Sequence, residues 1–150
     1  MNISTLREQI LQPLQTVSSV VERRQTLPIL SNVLLSVKDG KLTMTGTDLE
    51  VEMVAHVDIE HEGDGEITLP ARKFVDICRA LPENAKLNIT IDQDKALIRS
   101  GRSRFTLATL SAAEFPNIEP IDSPFEFNLT QQELKRLIEQ TQFCMAQQDV

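Results

Sequence analysis

Ile67-Thr68-Leu69-Pro70-Ala71-Arg72-Lys73-Phe74-Val75-Asp76-Ile77-Cys78-Arg79-Ala80-Leu81 reads as a short apolar strand running directly into a helix. Pro70 suits a first helical position, where a missing N–H costs nothing. Phe74, Ile77, Cys78 and Leu81 recur at helical spacing and mark the buried face. The same transition occurs at Ile3-Ser4-Thr5-Leu6 and at Phe127-Asn128-Leu129-Thr130. Apolar residues then follow at Ile10, Leu11, Leu14 and Val17, and at Leu134, Leu137 and Ile138. Ile10, Phe74 and Leu134 are corresponding positions of the three copies. A second match places Asp39, Leu42 and Gly46 against Asp94, Leu97 and Gly101, at one constant offset. Self-similarity of this kind means one supersecondary unit used repeatedly.

Outward from these helices the chain reads as strands. Residues 6–20 form the first helix, with a polar face of Glu8, Gln12, Gln15 and Ser19, and Pro13 interrupts its ladder. A basic connector occupies 21–28. A strand is expected from Ile29 to Val37, then a hairpin turn at Asp39-Gly40, and strands bearing Leu42 and Met44 and then Leu49 to Ala55. Gly63-Asp64-Gly65 turns the chain into the second copy. After the helix at 70–81, strands follow at 86–92, 95–100 and 103–109, and an extended Pro-containing linker at 111–125. A third strand and helix open at about 125, which divides the chain into a domain over 1–124 and the start of another over 125–150. The expected fold is α+β: two β-α-β-β-β repeats, with both helices packed on one side of antiparallel sheets. Gln12, Gln15, Arg72, Asp76 and Arg79 then share one surface.

Composition narrows the function. Apolar residues make up 41% of the chain, enough for a core, and no apolar run approaches a membrane span. Met1-Asn2-Ile3-Ser4 lacks the basic and apolar regions of a signal peptide, so the expected location is cytoplasmic. Cys78 and Cys144 lie on helical stretches among apolar neighbours and read as reduced packing residues. His56 is expected on a strand and His61 in a loop, and neither spacing describes a metal site. No phosphate-cradling glycine loop and no nucleophile elbow is present, so neither a catalytic residue, a metal nor a cofactor is expected.

Charge is unevenly spread. Arg23 and Arg24, then Arg72, Lys73 and Arg79 around Asp76, then Arg99, Arg102 and Arg104 together carry +7, which leaves −14 elsewhere against an overall −7. Such a body repels nucleic acid generally and admits it at a chosen surface. Arg72, Asp76 and Arg79 share one helical face, which is either a solvated ion-pair face or a duplex-phosphate contact without base readout. With neither Trp nor Tyr, stacking on single strands is disfavoured. Arg102 and Arg104 alternate onto one face of a strand beside Phe105, either keeping an edge soluble or meeting an acidic partner. An acidic protein-interaction adaptor without DNA binding is therefore the alternative.

Thr26-Leu27-Pro28-Ile29-Leu30 with Asn32, Thr45-Gly46-Thr47-Asp48-Leu49-Glu50, Pro70-Ala71-Arg72-Lys73-Phe74 and Ser100-Gly101-Arg102-Ser103-Arg104-Phe105 follow one another in an order and spacing that resembles the bacterial sliding clamps, the beta subunits of DNA polymerase III. The resemblance covers essentially the whole chain. It implies the DNA-clamp (processivity) fold and a head-to-tail homodimeric ring that encircles double-stranded DNA without reading its sequence. It implies a clamp loader and DNA polymerase III as partners and no catalysis by the clamp itself. Carried over, Arg24, Arg72 and Gln148 match DNA-binding positions, with Arg79 and Lys73 as further candidates. Ile77, Leu81 and Phe105 match the apolar part of the dimer interface, and Lys73, Arg102 and Arg104 its cationic rim.

Overall fold

The computed structural model describes residues 1–21, 27–116 and 125–145. Arg24 and Gln148 therefore lie outside the described residues. The chain divides into two compact units, Met1–Ile118 and Glu119–Val150.

The first unit runs β1 (Asn2–Leu6), α1 (Arg7–Val17), β2 (Asn32–Lys38), β3 (Lys41–Thr47), β4 (Glu52–Asp58), β5 (Glu60–Glu62), β6 (Gly65–Pro70), α2 (Ala71–Ala80), β7 (Lys86–Asp92), β8 (Lys95–Ser100) and β9 (Ser103–Ala108). Two antiparallel sheets result, ordered β5-β1-β7-β8-β9 and β4-β3-β2-β6. Apart from the short β5, the sheets are copies with the repeats exchanged: β1 joins the strands that follow α2, and β6 joins those that follow α1. Ile3 sits opposite Ile89, and Leu69 opposite Val33. A pseudo-twofold thus relates β1-α1 to β6-α2, with Ile10 and Phe74 as equivalent buried positions, as their spacing implies.

The helices lie side by side. α1 packs on β3 and β4, α2 on β2 and β6, and each on the other. Ile10, Leu14 and Val17 of α1, and Phe74 and Cys78 of α2, have no exposed surface, and Leu81 just beyond α2 is 6% exposed. Arg7 fastens the head of α1 to the foot of α2. Its Nε donates to the Cys78 carbonyl at 2.9 Å, where the helix leaves acceptors free, and Nη1 donates to Glu8 Oε1 at 3.1 Å. The Asn84 N–H also donates to Glu8 Oε1, at 2.9 Å, and this backbone bond is the chief reason the Glu8 carboxyl titrates low. Pro13 removes one N–H from α1, yet the helix continues through it to Val17.

Several expectations need correction. The strand match is one position out of step. Lys38 pairs with Lys41 across one hairpin turn, and Asp92 with Lys95 across its counterpart. Buried Leu42, Met44 and Gly46 therefore correspond to buried Ala96, Ile98 and Ser100, not to Leu97 and Gly101. A one-residue slip in a strand moves every side chain to the other face, and matching by residue identity alone makes that slip. Pro28–Ser31 is a 3-10 turn and the strand starts at Asn32. Pro28 fixes the turn, which buries Ile29 and Leu30 against Phe115. β4 begins at Glu52 because Leu49 takes a left-handed backbone (φ 81°), held by the Asp48 carboxylate accepting from Val51 N at 2.7 Å and Glu50 N at 2.9 Å. Those two N–H groups also hold the Asp48 carboxyl below its usual range. His61 lies in β5, not in a loop. The region after β9 is not simply extended: Ala112–Glu114 is a 3-10 turn.

In the second unit α3 spans Gln131–Thr141 behind a capping box. Glu133 N donates to Thr130 Oγ1 at 3.2 Å, and Thr130 N to Glu133 Oε2 at 2.9 Å. The expected strand before it is absent among the described residues: 126–130 form no ladder. An extended segment becomes a strand only with a pairing partner. Leu134, Leu137 and Ile138 are about half exposed at 50%, 52% and 53%. Cys144 is exposed, contrary to its reading as a packing residue, because the described part of this unit buries no residue. No helix among the described residues is long and apolar enough to cross a membrane.

A Cβ on Gly46 would stand 2.6 Å from the Val17 carbonyl oxygen, where the end of α1 rests on β3. Gly46→Ala should lower unfolding stability in urea by about 1–3 kcal/mol. Burial pushes the Cys78 thiol up to about 12, so thiol titration of the native chain should count one fast cysteine, Cys144, and a second only after denaturation.

Candidate nucleic-acid interface

The exposed face of the helix pair is assembled by helical spacing. Ala71, Phe74, Val75 and Cys78 turn α2 inward, which leaves Arg72, Asp76 and Arg79 on the outer side toward α1. A groove of about 410 Å³ lies along the helix seam, lined by Gln15, Ser18, Ser19, Arg72, Val75, Asp76 and Arg79. Of the residues expected on a common surface, Gln15, Arg72, Asp76 and Arg79 line this groove and Gln12 does not. Gln15 and Arg79 bond across it: with its amide oxygen toward α2, Gln15 accepts from Arg79 Nε at 2.8 Å and Nη2 at 3.1 Å.

Asp76 offsets part of the charge on this face, but among the described residues it forms no ion pair with either arginine. Among the described residues the ion pairs are Arg7–Glu8, His61–Asp64 and Lys135–Glu139, and none involves Arg72 or Arg79. The ion-pair reading of the face accordingly loses support. Glu8 is the counterpart of Arg72 in the preceding repeat, and its carboxylate is occupied by Arg7 and Asn84. Ser18 Oγ is buried without a partner among the described residues, while Ser19 Oγ donates to Thr16 O at 2.7 Å.

The interface candidates fall elsewhere. Lys73 is exposed and Ile77 half-buried, about 100° around α2 from Arg72 and Asp76. Leu81 belongs to the core and has little surface to offer a partner. Arg102 sits in the Gly101-Arg102 turn, so it does not alternate with Arg104 along a strand. Arg104 faces Arg99 directly across the β8–β9 ladder, on the side opposite Phe105, which pairs with Ile98. Two guanidinium groups opposed on one ladder repel each other, and that pairing escapes a reading of either strand alone.

Histidines are structurally committed. His61 Nε2 accepts from Gly40 N at 2.9 Å, and His56 Nδ1 lies 3.0 Å from Thr43 Oγ1. His61 borders a groove of about 450 Å³ on the first sheet, together with Asn2, Ser4, Glu60, Glu62, Asn88 and Thr90. Among the described residues no three His, Cys, Asp or Glu side chains group to hold a metal ion.

The Gln15–Arg79 bond had a signal in the sequence. Carrying the Ile10–Phe74 correspondence along each helix aligns Gln15 with Arg79, so they occupy the same position of the two repeats. Equivalent residues that face a twofold must meet beside its axis.

Comparison with known proteins gives the fold its relatives. Residues 1–119 match the family model described as DNA polymerase III beta subunit, N-terminal domain. The chain is 55% identical over its full length to the beta sliding clamp of Pseudomonas putida and 55% identical to that of Escherichia coli, covering 41% of each. Among solved structures, the DNA polymerase III subunit beta of Pseudomonas aeruginosa aligns over the whole chain at TM-score 0.94 and 52% identity. The Caulobacter crescentus pol III beta structure aligns at 0.94 and 36%, with 41% and 40% of those two chains covered. The chain thus spans about two-fifths of the length of the curated relatives it matches. On the strand exchange, the paired helices and these matches, the chain belongs to the DNA polymerase III beta subunit family, whose N-terminal domain its residues 1–119 represent.

Proposed function

We propose that this chain supplies the first domain, residues 1–124, and the opening of the second, residues 125–150, of a DNA sliding clamp. In the complete protein two subunits join head to tail into a ring around duplex DNA and tether the replicative polymerase. A clamp loader opens that ring with its own ATP, and the clamp itself catalyses no reaction. Enclosure holds the DNA, so weak phosphate contacts suffice and the ring slides. The observation that carries this reading is the helix pair with Arg72 and Arg79 on its outer face, free of ion pairs among the described residues. Positive charge there, on a body of net charge −7, favours phosphate at one surface and repels it elsewhere. Arg24 and Gln148 are proposed to join Arg72 and Arg79 at the duplex. Lys73, Ile77, Phe105, Arg102 and Arg104, with a minor share from Leu81, are proposed to meet the second subunit. The Arg99–Arg104 pair favours an acidic surface on whatever partner lies there, a need that an adaptor protein would share.

The test is a complete ring carrying Arg72→Ala. Its affinity for short linear duplexes, onto which a closed ring can thread, should fall equally for unrelated sequences, and the slope of log affinity against log salt should shrink by about 0.9 for one lost phosphate contact. A loss that depended on base sequence, or an unchanged slope, would count against the proposal. The 150-residue chain holds one half of a head-to-tail contact, and such a contact does not close on itself. It should sediment as a monomer, and a stable closed dimer would contradict the assignment.

A further inference from the structure

Arg79 is held in an unusual way for a surface arginine. With the Gln15 amide turned so that its oxygen faces α2, the orientation that satisfies both side chains, Arg79 donates to that oxygen from Nε at 2.8 Å and from Nη2 at 3.1 Å. A guanidinium has five N–H donors in one plane. Two are taken by Gln15, so three remain, all on the terminal nitrogens. The chemistry of the acceptor matters. A carboxylate at position 15 would accept the same two bonds and cancel the charge. An amide fixes the plane of the guanidinium and leaves its full positive charge in place. None of the ion pairs among the described residues neutralises it.

The surroundings agree with an anion approaching along the seam. The groove beside Arg79 is lined by Ser18, Ser19 and Arg72, and Ser18 Oγ lacks a partner among the described residues. Asp76, on the same face, keeps the local potential moderate, which suits contacts that must break as readily as they form. A free arginine loses rotamer freedom when it meets a phosphate, and one already fixed loses less.

We infer that Gln15 is a positioning residue for Arg79: it fixes the guanidinium across the seam of the two helices and presents it, still charged, to a backbone phosphate of duplex DNA. This rests on the reading of the helix face as a wall against DNA. Gln15 itself touches no phosphate. Its effect passes through Arg79, and that route separates it from a packing role.

The experiment is side-chain NMR of the full chain, titrated at low salt with a short DNA duplex. The parent is compared with Gln15→Met, Gln15→Glu, Arg79→Met, Arg72→Met and the double variant Gln15→Met/Arg79→Met. The Arg79 Nε–Hε resonance should be protected from exchange in the parent and in Gln15→Glu, and lost in Gln15→Met. Duplex affinity should fall about 2- to 10-fold in Gln15→Met with its salt slope unchanged, because the charge stays while the orientation is lost. In Gln15→Glu the slope should shrink by about 0.9, because orientation stays while the charge is cancelled. Adding Gln15→Met to Arg79→Met should cost nothing further. Unchanged affinity in Gln15→Met, or additive losses in the double variant, would overturn the inference while leaving the DNA reading intact if Arg72→Met still weakens binding. If the duplex shifts neither arginine and Arg72→Met has no effect, the reading of the face fails and the inference with it.

Discussion

Everything in the first unit depends on an exchange of strands between its two repeats. β1 completes the sheet built by the second repeat, and β6 completes the sheet built by the first. Each helix follows its exchanged strand immediately, α1 at Arg7 after Leu6 and α2 at Ala71 after Pro70. The helices are thereby carried to the seam between the sheets, where they pack together over Ile10, Leu14, Phe74 and Cys78. Burying these side chains contributes on the order of 1.5–3 kcal/mol for each large one, and it happens only when both repeats are in place. The polar faces of the helices are left outward as a direct result.

Buried polar groups then close the seam where strand pairing ends. Asn32 Nδ2 donates to Thr68 Oγ1 at 2.9 Å, and Thr68 Oγ1 donates to the Leu110 carbonyl at 2.9 Å. Thr68 N reaches the same carbonyl at 3.3 Å. The chain leaving one sheet is thus bonded to the outermost strand of the other. On the other side, Gly40 donates to His61 and Ile59 donates to the Gly40 carbonyl at 2.9 Å, which ties the β2–β3 turn to the short crossing into β5. Isolated polar groups at these depths would cost more than they return, and here the Asn32 amide, the Thr68 hydroxyl and the Gly40 N–H each find a partner.

Much of this is legible in the residues. Phe74, Ile77, Cys78 and Leu81 announce α2 by spacing alone, and the strands at 86–92 and 95–100 can be read to the residue. What stays hidden is information held by partners rather than by the segment itself. Ile29 and Leu30 look like strand residues, but Phe115, far along the chain, draws them into a turn. Leu49 looks like the start of an alternating strand, but the Asp48 carboxylate holds its N–H neighbours in another shape. Phe127 and Leu129 alternate as a strand should, with no ladder among the described residues to receive them. At the candidate site, charge and periodicity are enough to find Arg72 and Arg79. The Gln15–Arg79 clasp requires knowing that the repeats are related by a twofold and which residues stand beside it.

The exchange of strands also sets an order of events during synthesis. β1 finds its long partner, β7, only at residues 86–92, and β2 finds β6 only at residues 65–70. A chain leaving the ribosome from its N-terminus therefore carries Ile3 without its β7 neighbour, and α1 without α2, until most of the unit has been made, although α1 can already rest on β3 and β4. Until then only the β2–β3–β4 meander, whose pairings are local, has its neighbours available. Nascent-chain protection falls to whatever holds the emerging polypeptide, and the first strand to be translated is among the last to gain its full pairing.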